Sequence, residues 1–398
     1  MAQTWTPTLW KRLVVAGLNA FAGVKRALPG ARQRPAGDSN EIRRILVVEL
    51  WNIGDVVLTM PFLAELRAMF PLATTTLLAP PHAEEVLRGT GLVDDFIEID
   101  ISSRETWLTR NPLAYDWRRL WRLRDELRSR EFDLAFQCRL HIREHVIVGL
   151  SGARRRVGYS FDGADGLLTD AVPVADASEH KVDEWLRLLE PFGKPFGKPF
   201  GKPFGKPLGA KPPSLNITED ENQKAKAYLS ASGISPAARV IGIHPGASIA
   251  DKRWPLDRFH ELAAALAERQ DVRVLAFVDP QGYGESLGAI KGVVSARVPL
   301  RELMALLAHC DLLVCNDSGP MHIAGALGVP TVAVFSAGID RWFSPLGEGH
   351  EVVSAERPDE AANEGAPSHK VHSLTAIPTS QVLSAVERVL GERRKAAF

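Results

Sequence analysis

Cysteine is scarce in this chain of 398 residues. Cys138, Cys310 and Cys315 sit inside apolar runs without metal-ligand spacing. That argues against a disulfide framework or a cysteine-built zinc site and suggests small core residues of a reducing compartment. No apolar run reaches membrane-spanning length. Net charge is absent as well, since 48 Lys and Arg balance 48 Asp and Glu. A nucleic-acid binder relying on a broad basic surface is therefore not expected. The fingerprint G-x-G-x-x-G is missing after Val48, and neither half holds a G-x-x-x-x-G-K-[ST] loop. These gaps set aside a dinucleotide dehydrogenase and a P-loop nucleotidase. There is no Asp-x-Asp pair either. A bound diphosphate would have to be met by helix ends and cations rather than by a divalent ion.

What is present reads as a soluble globular chain, 45% apolar and 24% charged, long enough for two domains. Residues 1–40 form a distinct extension. Trp10, Val14, Gly17, Phe21, Val24 and Leu28 share one helical stripe, with Lys11, Arg12, Lys25 and Arg26 around it. Residues 5–28 thus suit either an anionic membrane surface or packing on the protein itself. A signal peptide fits less well, because Asn19 interrupts the apolar region and Lys25-Arg26 follow at once.

Residues 41–190 alternate strands and helices. Ile45–Leu50, Thr74–Leu78, Asp95–Ile99 and Asp133–Gln137 read as strands, and Val56–Phe70, His82–Gly89, Trp117–Arg130 and Arg143–Ser151 as helices. Arg154-Arg155-Arg156 reads as a solvated basic face or, as the rarer choice, a grip on substrate. Residues 191–212 carry four tandem Pro-Phe-Gly-Lys units and then Pro-Leu-Gly. Pro and Gly in every unit forbid a sustained helix or central strand, so an interdomain linker is expected. A docking motif presented by its phenylalanines is the other reading.

Residues 213–378 restart the alternation, and 379–398 hold a closing amphipathic helix. Such repeated strand–helix order implies α/β domains with parallel sheets, binding ligand at the carboxyl ends of their strands, in a cleft between the two. Asp311–Val334 shows the chemistry most plainly: a buried strand, the turn Asn316-Asp317-Ser318-Gly319, and a helix opening at Pro320. Proline costs nothing at a first helical position, and Asp317 or Ser318 can cap the helix. Gly319 lets a ligand approach the backbone, where outward-pointing amides make an anion site.

Three segments carry a resemblance: ILVVELWNIGDVVLTMPFLAELRAMFP (45–71), IGIHPGASIADKRWPLDRF (241–259) and the stretch 311–347 with NDSGPMHIAGALGVPTVAVF. In this order and spacing they resemble the heptosyltransferase family, glycosyltransferase family nine. The likeness covers about residues 42–390 and is broken by the repeat. It implies a GT-B fold, two doubly wound Rossmann-like domains facing across a cleft. It also implies a metal-independent, inverting transfer from a nucleotide-diphospho-sugar, typically ADP-heptose. The acceptor would be a lipid-linked glycan such as a lipopolysaccharide core, with no cofactor. The enzyme would be cytoplasmic and peripheral to the inner membrane.

By the same resemblance Asp55 is the base for the acceptor hydroxyl; its plainer role is helix N-cap. Gly54 and Asn52 lie on the acceptor side. Lys252 and Ser248 meet the donor phosphates, and Asp317, Ser318, Gly319, Pro320, Met321 and His322 form the diphosphate and ribose loop. Asp317 is expected to orient amides or bind sugar hydroxyls, since an acid beside a phosphate is unfavourable. Val278 and Glu285 lie where the nucleoside would sit, with Asp279 competing. Glu49 and Trp51 depart from the family, standing where many relatives carry a basic residue and a small one. An acid there alters the charge around Asp55 or signals a different acceptor. An epimerase or phosphorylase on the same fold, or a non-catalytic binding relative, are the rival readings.

Overall fold

The computed structural model describes residues 41–99, 117–160, 164–174, 179–193, 214–336, 339–345, 347–354 and 374–396. The amphipathic extension 1–40, most of the repeat, and the Pro- and Glu-rich stretch 355–372 lie outside the described residues. Contacts divide the chain into two units, Met1–Pro199 and Phe200–Phe398, so that the dividing point falls within the repeat.

In unit 1 the strands are β1 (Arg44–Val48), β2 (Thr74–Ala79), β3 (Asp95–Glu98), β4 (Leu134–Gln137), β5 (Arg155–Tyr159) and β6 (Asp170–Val172). All pair in parallel, in the order β3-β2-β1-β4-β5-β6. Helices α1 (Ile53–Met69), α2 (His82–Leu87), α3 (Trp117–Ser129), α4 (Ile142–Leu150) and α5 (Lys181–Arg187) connect or flank them. A buried run such as Ile45–Val48 is apolar on both faces because helices cover both sides of the sheet. Unit 2 has β7 (Arg239–His244), β8 (Val272–Phe277), β9 (Val293–Ala296), β10 (Leu312–Asn316), β11 (Thr331–Phe335) and β12 (Glu351–Ser354). Their order is β12-β11-β10-β7-β8-β9, again parallel throughout. Here the helices are α6 (Glu219–Ala231), α7 (Leu256–Ala267), α8 (Leu300–Leu307), α9 (Gly319–Ala326), the single turn α10 (Asp340–Phe343) and α11 (Thr379–Ala396).

Each sheet reverses its direction of growth once. In unit 1 the chain steps outward from β1 to β3 and returns to lay β4 on the other side of β1. Unit 2 does the same around β7, with β10 on its far side. The connections diverge at these two points and leave a crevice at the carboxyl ends of the strands, where ligands bind in such sheets.

Three expectations are corrected. The basic cluster 154–156 is neither a solvated face nor an open grip. Arg155 is in β5, forked onto Asp170 (2.9 and 2.8 Å) and stacked on Phe192, while Arg156 donates to the carbonyls of Leu167 and Ala153. Only the Arg154 side chain is mostly exposed. Second, the first Pro-Phe-Gly unit is part of the fold rather than of a linker. Glu190–Phe192 form a 3-10 turn closed by left-handed Gly193, and Phe192 packs edge-on to Phe70 with ring centroids 5.4 Å apart. Third, α1 starts three residues earlier than its pattern suggests and runs through Pro61. The three cysteines are free and buried.

Candidate active site

In unit 1 the switch point gathers the loop after β1 and the residues after β4. Asn52, exposed and extended at φ −78° and ψ 169°, is the N-cap of α1, and Asp55 is its third residue. This corrects the expectation that Asp55 is the cap. The two close a capping box, in which the Asn52 backbone N–H donates to the Asp55 carboxylate at 3.3 Å. Gly54 is buried between them. The carboxylate also accepts from the guanidinium of Arg139, in an ion pair largely shielded from water.

Arg139 is held from several sides. Its guanidinium lies over the Trp51 ring, 4.4 Å from the centroid. Its backbone N–H donates to Glu144 (2.9 Å), which also accepts from the Trp51 indole N–H (2.9 Å). Gln137 donates to the Arg139 carbonyl, and Trp185 donates to the Cys138 carbonyl. Gly158 makes room for this clamp, since a Cβ there would come within 2.4 Å of Gln137 Oε1. Trp51, noted in the sequence only as a departure, is therefore the platform that orients Arg139. Arg139 and Glu144 were not singled out in the sequence; their signal is position, just past the end of the strand beside β1. Burial pushes the Glu144 carboxyl up to about 8, against the lowering effect of Arg139 and its own hydrogen bonds.

In unit 2 the corresponding point lies between β7 and β10. Asn316 ends β10 fully buried and ties two loops together: its Oδ1 accepts from Trp254 N–H (2.9 Å) and its Nδ2 donates to the Pro245 carbonyl (2.7 Å). Trp254 is itself buried, donating from its indole to the Ile377 carbonyl at 2.9 Å. This anchor fixes the loop that carries Lys252. The Lys252 ammonium donates to buried Asp317 at 2.6 Å while its side chain stays 28% exposed. Asp317 thus holds the lysine, a role the sequence reading had not assigned to it.

Ser318 is the N-cap of α9 by position, without a side-chain capping bond, and Gly319-Pro320 open the helix. The Ser318 hydroxyl lies 3.5 Å from His244 Nδ1. Met321 is fully buried, and His322 is buried too. Ser248 is exposed on the loop after β7. The nucleoside residues separate: Val278 is buried, and Glu285 is exposed at the start of a short 3-10 turn. Asp279 is occupied in its own turn, accepting from the N–H groups of Gln281 (2.9 Å) and Tyr283 (2.8 Å). Arg253 stacks on Tyr283, 4.4 Å from the ring centroid. Among the described residues, no group of three or more His, Cys, Asp or Glu is arranged to hold a metal ion.

Each unit therefore offers different chemistry. The first has a carboxylate oriented by an arginine at a helix start, suited to taking a proton. The second has a lysine at a glycine-opened helix start, suited to an anion. Comparison with known proteins identifies the family. The chain resembles lipopolysaccharide heptosyltransferase 2 of Salmonella typhimurium, with 26% identity over 362 residues, 88% of this chain and 99% of that one. It also resembles lipopolysaccharide heptosyltransferase 3 of Escherichia coli, with 24% identity over 354 residues, 85% of this chain and 96% of that one.

Among solved structures, the glycosyl transferase family 9 protein of Veillonella parvula superposes with a TM-score of 0.71 at 23% identity, covering 88% of this chain and 98% of that one. The E. coli ADP-heptose heptosyltransferase II superposes at 0.67 with 22% identity, covering 89% and 100%. These likenesses place the fold as α/β of the GT-B type. The model of glycosyltransferase family 9 (heptosyltransferase) matches residues 120–371. On the fold, the two loop systems and that match, the chain belongs to glycosyltransferase family 9, the heptosyltransferases.

Proposed function

We propose that this glycosyltransferase moves a heptose from a nucleotide-diphosphate donor of the ADP-heptose class onto a lipopolysaccharide-core acceptor, with inversion at the anomeric carbon. The names of its relatives support the sugar and the acceptor. The observation that carries the mechanism is the pairing of Lys252 with Asp317 beside the Gly319 helix start. A lysine held at a helix N-terminus but still partly exposed is ready to exchange one anionic partner for another.

Unit 2 takes the donor. Lys252 turns from Asp317 to the diphosphate, and the opening amides of α9 with Ser318 and Ser248 bind its oxygens. Unit 1 takes the acceptor. As the acceptor oxygen attacks the anomeric carbon, Asp55 accepts the hydroxyl proton; the bond from that carbon to the diphosphate breaks, and the nucleotide leaves with its electron pair. A carboxylate serves here because the hydroxyl acidifies only as the new bond forms. Arg139 keeps Asp55 aimed, and Lys252 with the helix end meets the charge on the departing phosphates without a divalent ion. A lipid-linked acceptor fits an enzyme working at the cytoplasmic face of the inner membrane. The stripe read in the sequence of residues 5–28 suits contact with that surface or packing on the protein.

Incubation with ADP-heptose and a lipopolysaccharide-core acceptor in excess chelator tests the reading. Mass spectrometry should show one added heptose, and proton NMR should show the inverted anomer. A retained anomer, conversion of the donor without acceptor, or activity restored only by Mg²⁺ would refute it. Lys252→Ala should weaken ADP binding by calorimetry about 10-fold or more, since a hydrogen bond to a charged group contributes about 1.5–3 kcal/mol. Unchanged affinity would remove Lys252 from the phosphate site.

A further inference from the structure

The site in unit 1 holds more acid than base. Asp55 is paired with the Arg139 guanidinium. Glu144 accepts two N–H groups, from Trp51 and Arg139. Nearby Glu184 has its own cation in Lys181. Glu49 is left over. It follows β1, is completely buried, and neither of its carboxyl oxygens meets a hydrogen-bond partner of good geometry among the described residues. Its backbone N–H is fixed to the Leu78 carbonyl of β2 at 3.0 Å, and on the other side the Cys138 N–H joins β1 at the Val48 carbonyl (3.3 Å). The backbone of the residue is thus held between neighbouring strands.

An ionised carboxylate without a donor is among the costliest groups to bury, and taking up a proton removes most of that cost. Both neighbouring glutamates are raised by burial, but Glu144 has donors that offset part of its rise and Glu49 has none of good geometry among the described residues, so Glu49 holds a proton the more firmly. We infer that Glu49 stands as the neutral carboxylic acid beside the Asp55–Arg139 pair and, by staying uncharged, leaves the guanidinium committed to Asp55.

The groups that act on Glu49 agree with this. Burial is the largest influence, then Glu144, and both push its carboxyl well above the usual range. Arg139 and the Trp51 backbone N–H act the other way, while Asp55 adds to the rise. From the adjoining strands, Cys138 and Tyr159 also feel its charge and are themselves raised by burial. Were Glu49 to ionise, a second buried anion would compete with Asp55 for one guanidinium. Glu49 is accordingly a positioning residue for the transfer, acting through Arg139. This rests on the reading of Asp55 as the base only in its kinetic consequence.

Glu49→Gln tests it, since glutamine copies the shape of the neutral acid and cannot lose a proton. Difference infrared spectra at neutral pH should show a carboxylic-acid carbonyl band in the wild type that the variant lacks. Thermal unfolding gives a second reading. A raised folded value means that the native state binds more protons than the unfolded chain above the ordinary value of 4.5. Wild-type stability then falls as pH rises through that window, and the variant should gain on the wild type steadily from acid to alkaline pH.

In the transfer assay with ADP-heptose and core acceptor, the variant should keep kcat at neutral pH within about threefold and show a smaller alkaline fall than the wild type, the remainder belonging to Glu144. The absence of an acid band that depends on Glu49, or a melting difference constant with pH, would overturn the protonation. An alkaline limb identical in both proteins would overturn the link to Arg139 and Asp55. The infrared and stability results do not depend on which residue is the base, so failure of the proposed mechanism would show separately.

Discussion

His244 shows how burial sorts charge at the candidate site of unit 2. It ends β7 inside unit 2, and burial holds its ring down at about 4, with Asp279 acting in the opposite direction. The ring is neutral at physiological pH, so the positive charge beside Ser318 is carried by Lys252 and not by His244. Because the folded value lies below the ordinary 6.5, the native state resists a proton that the unfolded chain accepts. Stability is therefore whole above pH 6.5 and declines as pH falls toward about 4, by about 2–3 kcal/mol from this group. Urea titrations across that range should show a shallower decline for His244→Gln than for the wild type; parallel slopes would contradict the assignment. Asp55 and Lys252 stood out in the sequence because each lies in a short block with its turn residues. Arg139 did not, because its partner is 84 positions away and nothing in its local sequence marks an ion pair. Asp317 was visible as a residue, but its tie to Lys252 spans 65 positions and emerges only when β7 and β10 become neighbours.

Among the elements, apolar strands were readable, even the four-residue β3 and β4, while β5 and several edge strands were not. Ile45–Val48 and Thr331–Phe335 are buried on both faces and spell this out in β-branched residues. β5 begins with two arginines that a pattern reading assigns to the surface; their charges are met by Asp170 and by backbone carbonyls. β6, β9 and β12 have three or four residues each, too few to show a period, and β6, β9 and β12 lie at sheet edges. The short helix Lys181–Arg187 was likewise missed, although it delivers the Trp185 indole that fixes the Cys138 carbonyl. Turns impose their own demands. Gly284 has φ +92°, and a Cβ there would approach Pro245 Cγ to 2.5 Å. Gly284→Ala should therefore lower stability by about 1–3 kcal/mol and displace the Pro245–Lys252 loop, weakening ADP binding as well. Wild-type melting and ADP affinity in that variant would show that the loop tolerates the crowding.

At the level of the whole molecule, the alternation of strand and helix announced two parallel sheets, and the division of contacts falls within the repeat. What composition did not disclose is that the first repeat unit belongs to unit 1, because the contact is tertiary: Phe192 lies against Phe70 and under the Arg155 guanidinium, 3.9 Å from its ring centroid. If the remaining units serve only as connection, deleting residues 195–206 should leave thermal unfolding unchanged and transfer within about threefold, since linker length acts weakly on stability. Collapse of the fold on deletion would give the repeat a structural role.

The central claim is that Asp55 takes the acceptor proton, and turnover of Asp55→Ala with ADP-heptose and core acceptor tests it most directly. The account predicts a loss of about 10²–10⁴-fold in kcat, the range that general-base catalysis supplies, with ADP affinity by calorimetry within about twofold of wild type. Turnover within a few-fold of wild type would contradict it.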